Sequence, residues 1–203
     1  LLVALVICTG IINAYNFMDG INGITGGYSL VVLCGLAYVN TRVVSFVESD
    51  MIYTMIIGVV VFDFFNFRQK AKCFAGDVGS VGIAFIILFL LGKLILTTGD
   101  FSYIIFLVVY GVDSVLTIVH RLMLHENIGL PHRKHAYQLM ANELKMPHVV
   151  VSALYMLVQG GIVAMYLALP ELHYVCLVAS LVLLGGGYVW FMRRYFNLHL
   201  KIG

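Results

Sequence analysis

The sequence predicts an all-α fold, a polytopic transmembrane helical bundle of about seven spans, forming one integral-membrane domain over residues 1–203. Two observations carry this prediction. Hydrophobic residues make up 62% of the chain and charged ones only 11%, against about 25% charged in soluble domains, and mean hydropathy is +1.00. The apolar residues also fall into runs approaching the roughly 20 residues that a helix needs to cross hydrocarbon with its backbone polar groups satisfied internally. A soluble globular domain is excluded on both grounds.

The first run, 1–13, is short and lacks the charged opening of a secretory signal. Because it begins in mid-run with Leu1, the chain is expected to be the C-terminal part of a longer protein. Further spans follow at 26–41, 51–67, 79–97, 101–122, 148–169 and 172–192, joined by short polar connections except for the long stretch 121–147. No internal repeat or low-complexity tract divides them. Cys8, Cys34, Cys73 and Cys176 have no CxxC spacing, which argues against a disulfide framework or a zinc site.

Alternating the connections between two sides gives a polarity. Ten of the 12 Lys and Arg residues fall on one side, in 68–78, 121–147 and 193–203, while Arg42 and a snorkelling Lys93 fall on the other. The rich side is predicted to be cytoplasmic. Every unusual polar cluster lies on it.

The first cluster is "INAYNFMDGINGITGGYSL", with Asn13, Asn16, Asp19 and Asn22 among glycines. These are common turn residues, but Asn16 and Asp19 would share a face of a helical turn. Their oxygens suit Mg²⁺, a ribose or a base edge, with Gly20 and Gly23 letting a ligand approach the backbone. The second is "NFRQKAKCFAGDVGS", in which Asp77 either caps the following helix or holds Mg²⁺ against a phosphate at its N-terminus. The third, "HRLMLHENIGLPHRKHAYQL", carries His132, Arg133 and His135. Zinc ligation by the two histidines lacks a completing ligand. A diphosphate grip and a solvated basic loop stay open. Asp63 and Asp113 lie inside spans, where a charge is either functional or paired with a neighbouring helix.

Through these clusters the chain resembles the polyprenyl-phosphate N-acetylhexosamine-1-phosphate transferases. "NAYNFMDGINGITGG" is similar to their NAxNxxDGxxGL element, "FAGDVGS" to their F-x-G-D-x-G-S element, and "VDSVLTIVHRL" to the helix before their histidine loop. The resemblance covers roughly residues 1–145. It implies an inner-membrane, multi-pass enzyme with its active site facing the cytoplasm, transferring a sugar 1-phosphate from a UDP-sugar to a lipid phosphate with release of UMP.

Carried onto this chain, the resemblance makes Asp77 and Asp19 catalytic, with Asp77 and Asn16 as Mg²⁺ ligands and Mn²⁺ as an alternative ion. Phe74 stacks on uracil. Asn13, Asn16, Asn22 and Asn66 serve the substrate, and His132, Arg133 and His135 hold the diphosphate. The implied partners are a UDP-N-acetylhexosamine, a polyprenyl phosphate lipid and the membrane. A homodimer is compatible with the resemblance, and no nucleic acid is expected. The family's upstream DDxxD element is missing, so this chain alone is expected not to turn over. "PHRKHAYQL" keeps one histidine of the H-x-H-H pattern, with Tyr137 and Gln138 at the next two, and "RQKAKC" replaces the usual Pro-Ala.

The histidine-poor loop favours UDP-GlcNAc over UDP-MurNAc-pentapeptide as donor, hence a start to O-antigen, lipopolysaccharide or another surface glycan. A transporter lined by Asp63 and Asp113 and a non-catalytic binding remnant are the rival readings. Transport predicts polar groups spread across the bilayer, whereas these gather at one face.

Overall fold

The computed structural model describes residues 2–128, 130 and 133–200. Every regular element among the described residues is helical. Eight α-helices follow in order: α1 (Leu2–Met18), α2 (Ile24–Arg42), α3 (Ser49–Asn66), α4 (Gly76–Thr98), α5 (Val108–Met123), the single turn α6 (Ala136–Gln138), α7 (His148–Ala168) and α8 (His173–Leu200). Six membrane-length apolar stretches lie at Ile24–Arg42, Ser49–Asn66, Gly76–Thr98, Phe101–Met123, His148–Ala168 and Pro170–Asn197, with a shorter apolar helix at Leu5–Met18. The predicted first span therefore runs past residue 13. Asn13 and Asn16 stand on helix α1, not in a connection.

The central helix is α2, buried along most of its length and packed against α7 on one flank and α3 on another. Helix α1 lies against α4 and α5, and α5 against α8. The fifth span is not one regular helix. A 3₁₀ segment, Phe101–Leu107, precedes α5, and the change of helix type disturbs the backbone ladder inside the bundle. Gln159 of α7 repairs it, donating from Nε2 to the Ile105 carbonyl (3.0 Å) and accepting at Oε1 from the Val109 amide (3.2 Å) and the Tyr28 hydroxyl (2.7 Å). Irregular backbone at membrane depth is tolerated only where protein groups satisfy it in this way.

The chain direction alternates, so the end of α1, the start of α2, the end of α3, the starts of α4 and α7 and the end of α5 meet at one end of the bundle. All three polar clusters of the sequence are gathered there.

Candidate active site

Two asparagines tie the connections at this end together. Asn66, the last residue of α3, accepts from the Gly23 amide at Oδ1 and donates from Nδ2 to the Cys73 carbonyl, each at 2.7 Å. Gly23 has φ +82, a left-handed turn that suits glycine and opens α2. Asn22 donates from Nδ2 to the carbonyls of Arg68 (2.8 Å) and Gln69 (3.1 Å). These two side chains, expected among others to serve the substrate, are thus engaged in bracing the 19–23 and 67–75 connections.

The carboxylates come together through α1 and α4. Asn16 accepts from the Ser80 hydroxyl at 2.8 Å, joining the last turn of α1 to the first turns of α4. Asp19, just beyond α1, is thereby brought beside Gly76 and Asp77. Its Oδ1 accepts from the Thr25 hydroxyl at 2.7 Å. Burial pushes the Asp19 carboxyl above its ordinary value and the charge of Asp77 adds to this, while the Thr25 hydroxyl and the Gly76 amide pull the other way.

Asp77 itself is exposed. The helix starts at Gly76, so Asp77 lies inside the first turn, and the cap position is Ala75, with no side-chain capping bond. The cap reading of Asp77 is corrected accordingly; its charge still favours a helix N-terminus. Phe74 is 74% exposed and stands at the rim of a cavity of about 260 Å³ lined by Thr25, Gly26, Phe62, Gly79 and Ile83 among others. Asn13 is exposed on α1, one turn before Asn16, and Lys70 and Lys72 are exposed in the adjoining connection.

The histidine loop is built on Asp113. This buried carboxylate of α5 accepts from the Tyr155 hydroxyl (2.6 Å), the Ala136 amide (3.1 Å) and the Thr117 hydroxyl (3.2 Å), and pairs with His135 Nδ1 at 3.3 Å. Arg121, two turns further along α5, donates to the carbonyls of Asn127, Ile128 and Leu130 and to Glu126, which also pairs with Lys134. The Asp113–Thr117–Arg121 stripe therefore folds the loop and does not line a passage. His135 is only 2% exposed, with its ring stacked between Phe17 and Tyr137. His135 is thus turned away from the surface on which a diphosphate would be gripped, whereas Arg133 is exposed. His132 lies outside the described residues.

The glycines also take a different role from the expected one. A Cβ on Gly20 would meet the Tyr137 hydroxyl, on Gly23 the Phe67 ring, on Gly26 the Asp63 carboxylate and on Gly27 the Met156 sulfur. They make room for this chain's own side chains. His148, Ser152, Thr25 and Ser80 were not singled out from the sequence. A lone hydroxyl or imidazole at a helix start carries no pattern until its partner is known.

Among the described residues no group of three or more His, Cys, Asp or Glu side chains is placed to hold a metal ion. The Asp19–Asp77 pair does fit Mg²⁺. That ion takes one or two carboxylates and completes its shell with water and substrate phosphate. Zinc is held by three or four protein ligands, more than this pair supplies.

Fold and site together define a polytopic helical membrane protein with Asn16, Asp19, Asp77 and Ser80 gathered at one end of its bundle. The chain matches the profile of the glycosyl transferase family 4 over residues 1–96. It is 33% identical over 133 residues to a Bacillus subtilis (strain 168) protein named as a probable undecaprenyl-phosphate N-acetylglucosaminyl 1-phosphate transferase, covering 63% of this chain and 37% of that one. It is 34% identical over 74 residues to a phospho-N-acetylmuramoyl-pentapeptide-transferase of Lactobacillus acidophilus, covering 36% and 23% of the two chains. A Symbiobacterium thermophilum protein of the same name is 27% identical over 118 residues, covering 58% and 34%. The matched part thus spans well under half the length of each of these curated relatives.

Proposed function

We propose that this chain carries most of the catalytic end of an enzyme that transfers GlcNAc 1-phosphate from UDP-GlcNAc to undecaprenyl phosphate at the cytoplasmic face of the inner membrane, starting a lipid-linked surface glycan. The carrying observation is the Asn16–Ser80 bond, which joins the end of α1, next to Asp19, to the first turns of α4, where Asp77 stands, inside the segment that matches the family. The concentration of Lys and Arg at the same end supports the orientation and suits two anionic substrates.

In the reaction a lipid-phosphate oxygen attacks the phosphorus that bears the sugar. The new P–O–P bond forms as the bond from that phosphorus to the bridging oxygen breaks, and UMP leaves with the bridging oxygen. Asp19 and Asp77 would hold Mg²⁺, or Mn²⁺ in its place, and the ion supplies neutralising charge to the diphosphate. Asn16 fixes the geometry of that pair through Ser80. Phe74 offers an exposed ring on which the base stacks, and Arg133, Lys70 and Lys72 draw the anionic groups to the site. Asn22 and Asn66 hold the frame around it.

Incubation of the purified protein with undecaprenyl phosphate, Mg²⁺ and either UDP-GlcNAc or UDP-MurNAc-pentapeptide, with UMP release measured, tests the proposal. Release with UDP-GlcNAc that is lost in Asp77→Asn supports it. Release only with the muramyl peptide supports the second reading, which the names of two relatives favour. Release unchanged by Asp77→Asn sinks the assigned role of that carboxylate.

A further inference from the structure

Asn22 is held from two directions, and the second hold comes from an element that neither the sequence reading nor the proposed reaction uses. Its side-chain amide braces the 67–75 connection, but its backbone is bracketed by α7. The Asn22 amide donates to His148 Nδ1 at 3.4 Å, and the Asn22 carbonyl accepts from the Ser152 hydroxyl at 2.8 Å. His148 and Ser152 are four apart on the first turns of α7, so they share a face. Pro147 stands at the cap position and sets where that helix begins. More than a hundred residues separate the two sides of this contact in sequence, at the point where the chain turns from Asp19 into α2.

We propose that His148 and Ser152 form a two-pronged clasp that positions the 19–23 turn, making His148 a positioning residue for nucleotide-sugar binding. The turn is also held by Asn66 and by the Asn22 side chain, but the Asn22 backbone is held by α7. The turn carries Asp19 at one end and the left-handed Gly23 at the other, and irregular backbone needs partners for both its N–H and C=O groups. The 2.8 Å bond from Ser152 anchors the carbonyl. The 3.4 Å contact is long, so its value lies in fixing direction: an acceptor at Nδ1 selects the tautomer that keeps the proton on Nε2. The clasp orients the turn that presents Asp19 and joins it through Asn22 to the connection leading to Phe74. Its loss loosens the donor side of the site and leaves the lipid side alone. The assignment to nucleotide-sugar binding rests on the proposed function; the clasp itself does not.

The two ring nitrogens make the proposal testable. An asparagine places an acceptor near the position of Nδ1, and a glutamine places its polar atoms near Nε2. In the full chain reconstituted in nanodiscs, KM for UDP-GlcNAc and for undecaprenyl phosphate is measured for wild type, His148→Ala, His148→Asn, His148→Gln and Ser152→Ala. His148→Ala and Ser152→Ala are expected to raise the donor KM about tenfold, equivalent to about 1.4 kcal/mol, with the lipid KM unchanged. His148→Asn is expected to stay near wild type, and His148→Gln to behave like the alanine variant. Rescue by Gln and not by Asn, equal movement of both KM values, or no movement at all would overturn the proposal. Amide hydrogen exchange of residues 19–24 gives a readout that needs no turnover. Faster exchange in His148→Ala and Ser152→Ala but not in His148→Asn supports the clasp even if no donor is transferred, in which case only the proposed reaction fails. Unchanged exchange in the alanine variants overturns it.

Discussion

The hydroxyl of Tyr155 on α7 lies 2.6 Å from the carboxylate of Asp113 on α5, and both groups are buried. With the Ala136 amide, the Thr117 hydroxyl and His135 also on this carboxylate, a charge inside the membrane-length span becomes the fixed point from which the 124–147 connection hangs. Asp113→Ala removes the acceptor and strands several buried donors, a change that costs about 3–5 kcal/mol. Tyr155→Phe loses one charge-assisted bond, about 1.5–3 kcal/mol. Thermal unfolding in detergent should rank the two in that order, with protease cleavage in 124–135 rising first in Asp113→Ala.

Asp77 gives the opposite pattern. It is exposed and makes no capping bond, so Asp77→Asn should leave the unfolding temperature within about 2 °C of wild type, as surface changes commonly do. Phosphosugar transfer should fall by about a hundredfold or more, the scale on which electrostatic stabilisation of transferred charge operates. Loss of stability in step with activity would mean that Asp77 supports the fold and not the chemistry.

Asp19 predicts a pH dependence. Burial, and then the charge of Asp77, raise its carboxyl above the ordinary value of 3.8. A carboxyl must lose its proton to hold a cation, so Mn²⁺ binding, followed by electron paramagnetic resonance, should weaken as pH falls through a value above that of a free aspartate. Asp77→Asn removes the neighbouring negative charge and should move this acid limb to lower pH. The sign is the test: a limb that moves upward contradicts the coupling.

At the opposite end of the bundle, Asp100 accepts from the Ser102 amide at 2.9 Å and pairs with His173 at 3.0 Å, tying the connection after α4 to the start of α8. Burial alone would raise the Asp100 carboxyl, but these bonds outweigh it and hold the group below its ordinary value. A lowered carboxyl contributes stability that is present above the unfolded aspartate value and is lost as pH falls through the folded one. The difference in unfolding temperature between wild type and Asp100→Asn should therefore be full near neutrality and shrink below about pH 4.

The helices were legible because hydrocarbon imposes a length and a composition that few other environments demand, and 24–42 through 173–200 follow apolar runs of that kind. The three polar clusters were legible because glycine, amide and carboxylate are costly in such a chain. Their inner wiring was not. Nothing in the local pattern says that Asn22 and Asn66 face backbone carbonyls, or that His135 is buried beside Asp113 while Arg133 is exposed. The end of α1 was placed too early because Asn13 and Asn16 read as the start of a connection. Their bonds, such as Asn16 to Ser80 of α4, offset the polarity only once the tertiary structure exists. His148 escaped notice for the same reason, since its partner lies more than a hundred residues away.

Gly20 and Tyr137 separate the two readings of the glycine-rich turn. Tyr137 is fully buried, its hydroxyl donates to the Phe17 carbonyl at 2.8 Å, and a methyl on Gly20 would strike that hydroxyl. Overpacking of this kind costs about 1–3 kcal/mol, because the ring has nowhere to move. Tyr137→Phe forfeits a hydrogen bond, about 1 kcal/mol, but opens space where the methyl would go. The double variant should therefore lose less stability than the sum of the single ones, by about 0.5 kcal/mol or more in a double-mutant cycle read from denaturant unfolding. If Gly20 instead admits a ligand to the backbone, Gly20→Ala raises the donor KM at wild-type stability. Phenylalanine at 137 then gives no relief. The sign and size of that one coupling energy decide whether the turn's glycines shape the protein's interior or its substrate site.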